Sequence, residues 1–119
     1  GTIECVGAST ANDYKATTST GWTYAVSGIA TDVVRTLRWT FSNPLQLTSW
    51  IYDTSGTNAN WSITPTALLN NQTVSLAGMS SSNPITVDTV QLRYSVSTAV
   101  DTMPIKCKNM EIKYLSGGN

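Results

Sequence analysis

Histidine is absent from the chain. Its absence removes the commonest general base, so neither a Ser-His nor a Cys-His dyad can form. Charge is also scarce. Charged residues make up 12%, about half the usual share for a globular protein, and seven basic side chains balance seven acidic ones. Nucleic-acid binding draws much of its affinity from Lys and Arg neutralising phosphates, and no basic cluster here supplies that; no nucleic-acid partner is expected. Lys106, Lys108 and Lys113 are spaced like outward positions of a strand and read as a solvated face. No apolar run approaches the ~20 residues of a membrane-spanning helix, so no membrane insertion is expected. No signal peptide is visible either, and the chain reads as a mature or excised module. No window sustains a 3.6-residue period, and the best helix candidate, residues 66–71, is long enough only for a turn. The glycines form no phosphate-binding loop, because none lies between a strand and a helix.

What fills the 119 residues is Ser, Thr, Asn and Gly, together with four Trp, five Tyr and many Val and Ile. Disordered chains lack that aromatic and β-branched content. The length suits one domain, read as residues 1–115 with a flexible tail at 116–119, and a hydrophobic share of 40% can build one core. Low charge, abundant Thr and scattered aromatics are typical of bacterial surface and secreted β-modules, so an extracellular or cell-surface location is expected. The only two cysteines, Cys5 and Cys107, have 101 residues between them. Neither belongs to a CxxC pair, and in an oxidising compartment they read as a disulfide. Closing so long a loop contributes up to ~4–5 kcal/mol in the chain-entropy model. The alternative is two free buried thiols. Asn60-Trp-Ser and Asn71-Gln-Thr match the N-glycosylation sequon, which carries no meaning in a bacterial host.

Strand signals dominate: period-two alternation bounded by Gly, Pro, Asn and Ser. Expected strands cover residues 2–6, 21–27, 33–41, 45–53, 60–64, 73–77, 86–97 and 103–115. Residues 21–27 put Trp22, Tyr24 and Val26 on one face, and residues 33–41 put Leu37, Trp39 and Phe41 inward. Asn43-Pro44 is expected to break the chain, Pro65 to end a strand, and residues 53–56 to form a turn. The phase flips near Lys108, with Ile105 and Cys107 on one side and Met110, Ile112 and Tyr114 on the other, which predicts a β-bulge. Short strands without crossover helices imply an all-β antiparallel sandwich. A Cys5–Cys107 bridge needs the two Cα atoms within about 7 Å, so the terminal strands are expected to be adjacent, and a jelly roll is the favoured form.

Seven carboxylates are available, but Asp13, Asp32, Asp53, Asp88 and Asp101 look like turn or strand-end residues, leaving Glu4 and Glu111 as a coincidental pair. No enzymatic activity is expected. One strand breaks the inside–outside rule. In residues 45–53 the phase Leu45, Leu47, Ser49, Ile51 makes a core stripe, which would leave Trp50 and Tyr52 on the other face beside Gln46 and Thr48. Exposed aromatics among amides and hydroxyls can stack on a sugar ring and bond its hydroxyls, and they also anchor protein interfaces. In residues 89–97 the core phase Val90, Leu92, Tyr94, Val96 leaves Gln91, Arg93 and Ser95 outward, and Arg38 is outward in its own strand. The candidate ligand-binding set is therefore Trp50, Tyr52, Gln46, Gln91, Arg93 and Arg38. The alternative for Trp50 is that it caps the sandwich edge or packs under a loop; for Arg93 it is an ordinary solvated position. Trp22, Trp39 and Trp61 follow apolar phases and read as core.

The second half of the chain, through Trp50-Ile-Tyr-Asp-Thr-Ser-Gly56, Gln72-Thr-Val-Ser-Leu76, Thr89-Val-Gln-Leu-Arg-Tyr94 and Ile105-Lys-Cys-Lys-Asn-Met-Glu-Ile112, resembles the β-jelly-roll carbohydrate-binding modules attached to bacterial polysaccharide-degrading enzymes. The resemblance covers about half the chain and is a pattern of strand types. It implies non-catalytic binding of a polysaccharide by aromatic stacking plus polar side chains, within a larger multi-domain or surface assembly. It also implies that a structural calcium could be held by Glu4, Asp101 and Glu111. The other reading left open is a structural or assembly sandwich: a pilus or filament subunit, a phage tail or capsid module, or a surface-layer interaction domain.

Overall fold

The structure is a computed structural model describing residues 3–6 and 22–117, with the backbone alone described at positions 3–6, 22, 109, 116 and 117. The expected side-chain positions of Glu4, Cys5, Asp13 and Trp22 fall outside that description. The described chain is all-β and forms two antiparallel sheets without a helix. Its strands are β1 (Ile3–Val6), β2 (Trp22–Tyr24), β3 (Ala30–Asp53), β4 (Ser62–Leu69), β5 (Gln72–Val74), β6 (Ile85–Ala99), β7 (Met103–Ile105) and β8 (Lys108–Gly117). The larger sheet runs β1-β3-β6-β4-β5, with β8 added to β3, and β2 pairs with β7 in the smaller one.

β3 organises the molecule. Two strands expected on either side of Asn43-Pro44 are one 24-residue strand, because the proline interrupts the ladder without ending the strand. The pairing of β3 with β6 jumps from Thr40↔Thr89 to Leu45↔Val87, leaving residues 41–44 as a bulge. A straight strand would separate Leu37 from Tyr52 by ~50 Å. Instead, Leu37 belongs to, and Tyr52 packs against, a single buried cluster, so β3 folds back along its length. That upper cluster joins Leu37, Leu92 and Tyr94 of the large sheet to Tyr24, Met103 and Ile105 of the small one, with Trp61 and Cys107. A lower cluster gathers Phe41, Leu45, Leu47, Ala67, Val87 and Val90.

The terminal strands share an edge without pairing with each other. Leu37 is opposite both Cys5 and Leu92, and Leu45 is opposite both Gly117 and Val87. β1 and β8 therefore lie end to end along the edge of β3 that faces away from β6, not side by side as the terminal strands were expected to lie. β8 reaches Gly117, so Ser116 and Gly117, expected in a tail, continue the strand.

Proline and turn chemistry explain two other departures. β4 runs through Pro65, which is opposite Leu92 of β6; β5 joins only from Ala67 onward, so the position of Pro65 is on an edge that needs no amide donor. Residues 66–71, read as a turn, split into strand and hairpin: Leu69 pairs with Gln72, while Asn70 and Asn71 occupy φ of 52° and 65°. Two consecutive left-handed residues define a type I′ connection, which Asn tolerates better than most side chains. The turn at residues 53–56 forms as expected. The Ser55 amide donates to Asp53 Oδ1 at 2.8 Å, and Gly56 takes φ 90°. The flip near Lys108 is also present: Met103, Ile105 and Cys107 are buried, then β8 restarts with Met110 and Ile112 half-buried.

Candidate functional site

The aromatic pair expected on the surface packs inward. Trp50 touches both core clusters, Tyr52 packs against the upper one, and their rings lie 5.0 Å apart. Ile51, expected in the core stripe, is 54% exposed. The cause lies in the ladder between β3 and β8, whose register slips at three steps, of which the one between Leu47 and Ser49 leaves the extra residue on β3. Side chains alternate with a period of two, so one irregular step inverts every position after it. Leu45 and Leu47 keep the expected inward phase, and beyond the slip the inward phase passes to Trp50 and Tyr52. Burial raises the Tyr52 phenol above its ordinary value, and proximity to Cys107 adds to the shift. Trp39, Trp61 and Tyr24 follow their expected phases, with Trp61 meeting Tyr24 and Tyr94 edge to face.

The polar candidates, by contrast, come together. On the outer face of the large sheet the register gives three consecutive rows across β3, β6 and β4: Val34–Ser95–Ser62, Thr36–Arg93–Thr64 and Arg38–Gln91–Thr66. Arg38, Gln91 and Arg93, assigned outward from separate strands, thus occupy adjacent positions of one surface. Gln46 is exposed beyond the bulge, opposite Thr86, and does not join them. Trp50 and Tyr52 belong to the core side and are not part of this face.

At one end of these rows lies an open cavity of about 440 Å³, lined by Arg93, Ser95 and Ser97 of β6, Asp32 and Val34 of β3, and Ser62 and Asn60 at the start of β4. Arg93 is exposed, and among the described residues it forms no ion pair. The walls offer hydroxyls, an amide, a carboxylate and a guanidinium, with Val33, Val34 and Val96 also in the lining. Such a set can donate hydrogen bonds to, and accept them from, a polyhydroxylated ligand, and no aromatic ring is in the lining. Ser95 was legible from the alternation of β6. Asp32, Asn60 and Ser62 had no sequence signal, because only the cross-strand register brings them beside Arg93.

The loop after β3 is fastened to the β7–β8 junction. The Lys106 amide donates to Thr57 Oγ1 at 3.0 Å, the Thr57 hydroxyl returns a bond to the Lys106 carbonyl at 3.3 Å, and Asn58 N–H donates to Pro104 O at 3.0 Å. Arg35, on the inward phase, lies with its guanidinium carbon 4.0 Å from the Tyr24 ring centroid. Cys107 is a buried thiol at 1% exposure, and desolvation pushes it up to about 12, with a smaller push from the Asp53 carboxylate. Of the acidic residues expected to hold calcium, Glu4 has no described side chain, and no group of three or more metal-ligating side chains occurs among the described residues. No protein-family model matches the chain, and neither does a curated protein or a solved structure.

Proposed function

We propose that this is a non-catalytic, extracellular carbohydrate-binding module that recognises a polysaccharide through the outer face of the β3–β6–β4 sheet. The observation carrying this reading is the alignment of Arg38, Gln91 and Arg93 in neighbouring cross-strand rows leading into a cavity of about 440 Å³. Recognition rests on hydroxyl, amide and guanidinium groups, because the aromatics that suggested stacking pack half-buried against the core and away from this face. Native gel electrophoresis through matrices containing soluble plant or bacterial polysaccharides tests it. Retardation by at least one polysaccharide, weakened by Gln91→Ala, is the expected result, and no retardation by any of them overturns the reading.

A structural or assembly role is the second reading, favoured by one feature. β8 is an edge strand carrying the exposed side chains of Tyr114 and Leu115, and Ile51 is exposed on the strand beside it. Exposed apolar edges are templates for association. Light scattering at high concentration separates the two: a strict monomer counts against self-assembly.

The jelly-roll form and the Cys5–Cys107 bridge belong to the same proposal. Support for the bridge comes from register, since Cys5 is the cross-strand partner of Leu37, and Leu37 shares the buried cluster of Cys107. Intact mass under non-reducing conditions after oxidative folding should fall short of the reduced mass by two hydrogens. An unchanged mass excludes the bridge.

A further inference from the structure

We propose that the cavity beside Arg93 selects a carboxylate-bearing sugar, a uronic acid residue of an acidic polysaccharide, over neutral sugars. The inference rests on the glycan-binding reading and deepens it. Arg93 occupies the central strand of the face, flanked across the sheet by Thr36 and Thr64. Arg93 is exposed, lines the cavity and has no carboxylate partner among the described residues. A planar guanidinium matches a carboxylate with two parallel N–H···O bonds, which a hydroxyl cannot reproduce. The loose Lys113–Glu111 contact at 4.0 Å is on β8, away from the cavity.

The cavity is also polar in the right order. Ser95 and Ser97 follow Arg93 on the same outward phase of β6, and Ser97 is four residues on, about 13 Å along a strand. Asp32 joins the lining toward that far end, since its neighbours Thr31 and Val33 are opposite Thr98 and Val96. A short oligosaccharide spanning this interval places one uronate carboxylate on Arg93, and hydroxyls of that residue and the next meet Ser95, Ser62, Asn60 and the Asp32 carboxylate. Asp32 offers a carboxylate acceptor for sugar hydroxyls at that end of the cavity.

Affinity gels or isothermal calorimetry with polygalacturonate and alginate, each compared with its carboxyl-reduced neutral counterpart, test the proposal. Wild-type protein should bind a native polymer about tenfold or more tightly than its reduced form, and Arg93→Gln should abolish that preference. Arg93→Lys should restore only part of it, because an ammonium lacks the bidentate geometry. Circular dichroism establishes that each variant is folded. Equal binding of native and reduced polymers, or an unchanged preference in Arg93→Gln, overturns the inference. Binding confined to neutral polysaccharides also overturns it while leaving the glycan-binding reading standing; binding to none removes both.

Discussion

Tyr94, fully buried in the upper cluster, donates its phenolic hydrogen to the carbonyl of Lys106 at 2.6 Å. The bond ties the middle of β6 to the junction between β7 and β8, where the Thr57 hydroxyl donates to the same carbonyl and accepts from the Lys106 amide. Tyr94→Phe keeps the ring and removes this donor. The expected cost is about 1–2 kcal/mol, with a melting temperature lower by roughly 5 °C. An unchanged urea midpoint would show that the bond contributes nothing net.

The inverted phase after Leu47 is testable by a pair of substitutions. Trp50→Ala should cost about 2–4 kcal/mol, since it opens space between both core clusters. Ile51→Thr should stay within about 0.5 kcal/mol, because that side chain faces solvent. Denaturant melts giving the reverse order would restore the regular alternation of residues 45–53.

Cys107 makes a prediction about alkaline pH for the reduced protein. Its folded-state thiol titrates at about 12, well above the unfolded value of ~8.5, so the folded state retains a proton that the unfolded chain loses. The resulting stabilisation is complete below pH ~8.5 and is lost as pH rises toward 12. Urea midpoints should therefore fall between about pH 9 and 11.5. Cys107→Ala should flatten that slope without removing it, because Tyr52 is shifted in the same direction. Iodoacetamide should label Cys107 only after unfolding, and rapid labelling of the native protein would contradict its burial.

The β4–β5 hairpin depends on its two-residue turn. Asn71→Val places a β-branched side chain at φ 65° and should cost about 1–2 kcal/mol, whereas Asn71→Gly should be neutral or stabilising. Thermal melts of the two variants distinguish a type I′ turn from a loop that tolerates either residue.

The candidate face was legible in part, and the boundary is informative. Strands rich in Val, Leu, Trp and Tyr with period-two patterning identified the inward sets Val90, Leu92, Tyr94 and Leu45, Leu47, all of which are buried. The same patterning put Arg38, Gln91 and Arg93 in one phase of their strands, and the register sets them in neighbouring rows, Arg93 exposed and Arg38 and Gln91 half-buried. It failed at Trp50 and Tyr52, because a bulge is an agreement between two strands. Nothing within residues 45–53 announces that β8 will pair out of step with them.

The sequence by itself determined that this chain is all-β and weakly charged, without a histidine for acid–base work. It also determined which way most side chains point along each strand, because these follow from composition and from local backbone periodicity. Tertiary structure decided the rest. The fold of β3 onto itself, the sharing of one β3 edge by β1 and β8, and the assembly of Asp32, Asn60 and Ser62 beside Arg93 all depend on pairings between residues distant in the chain. Such pairings are chosen by the burial of whole faces, and no single segment carries that information.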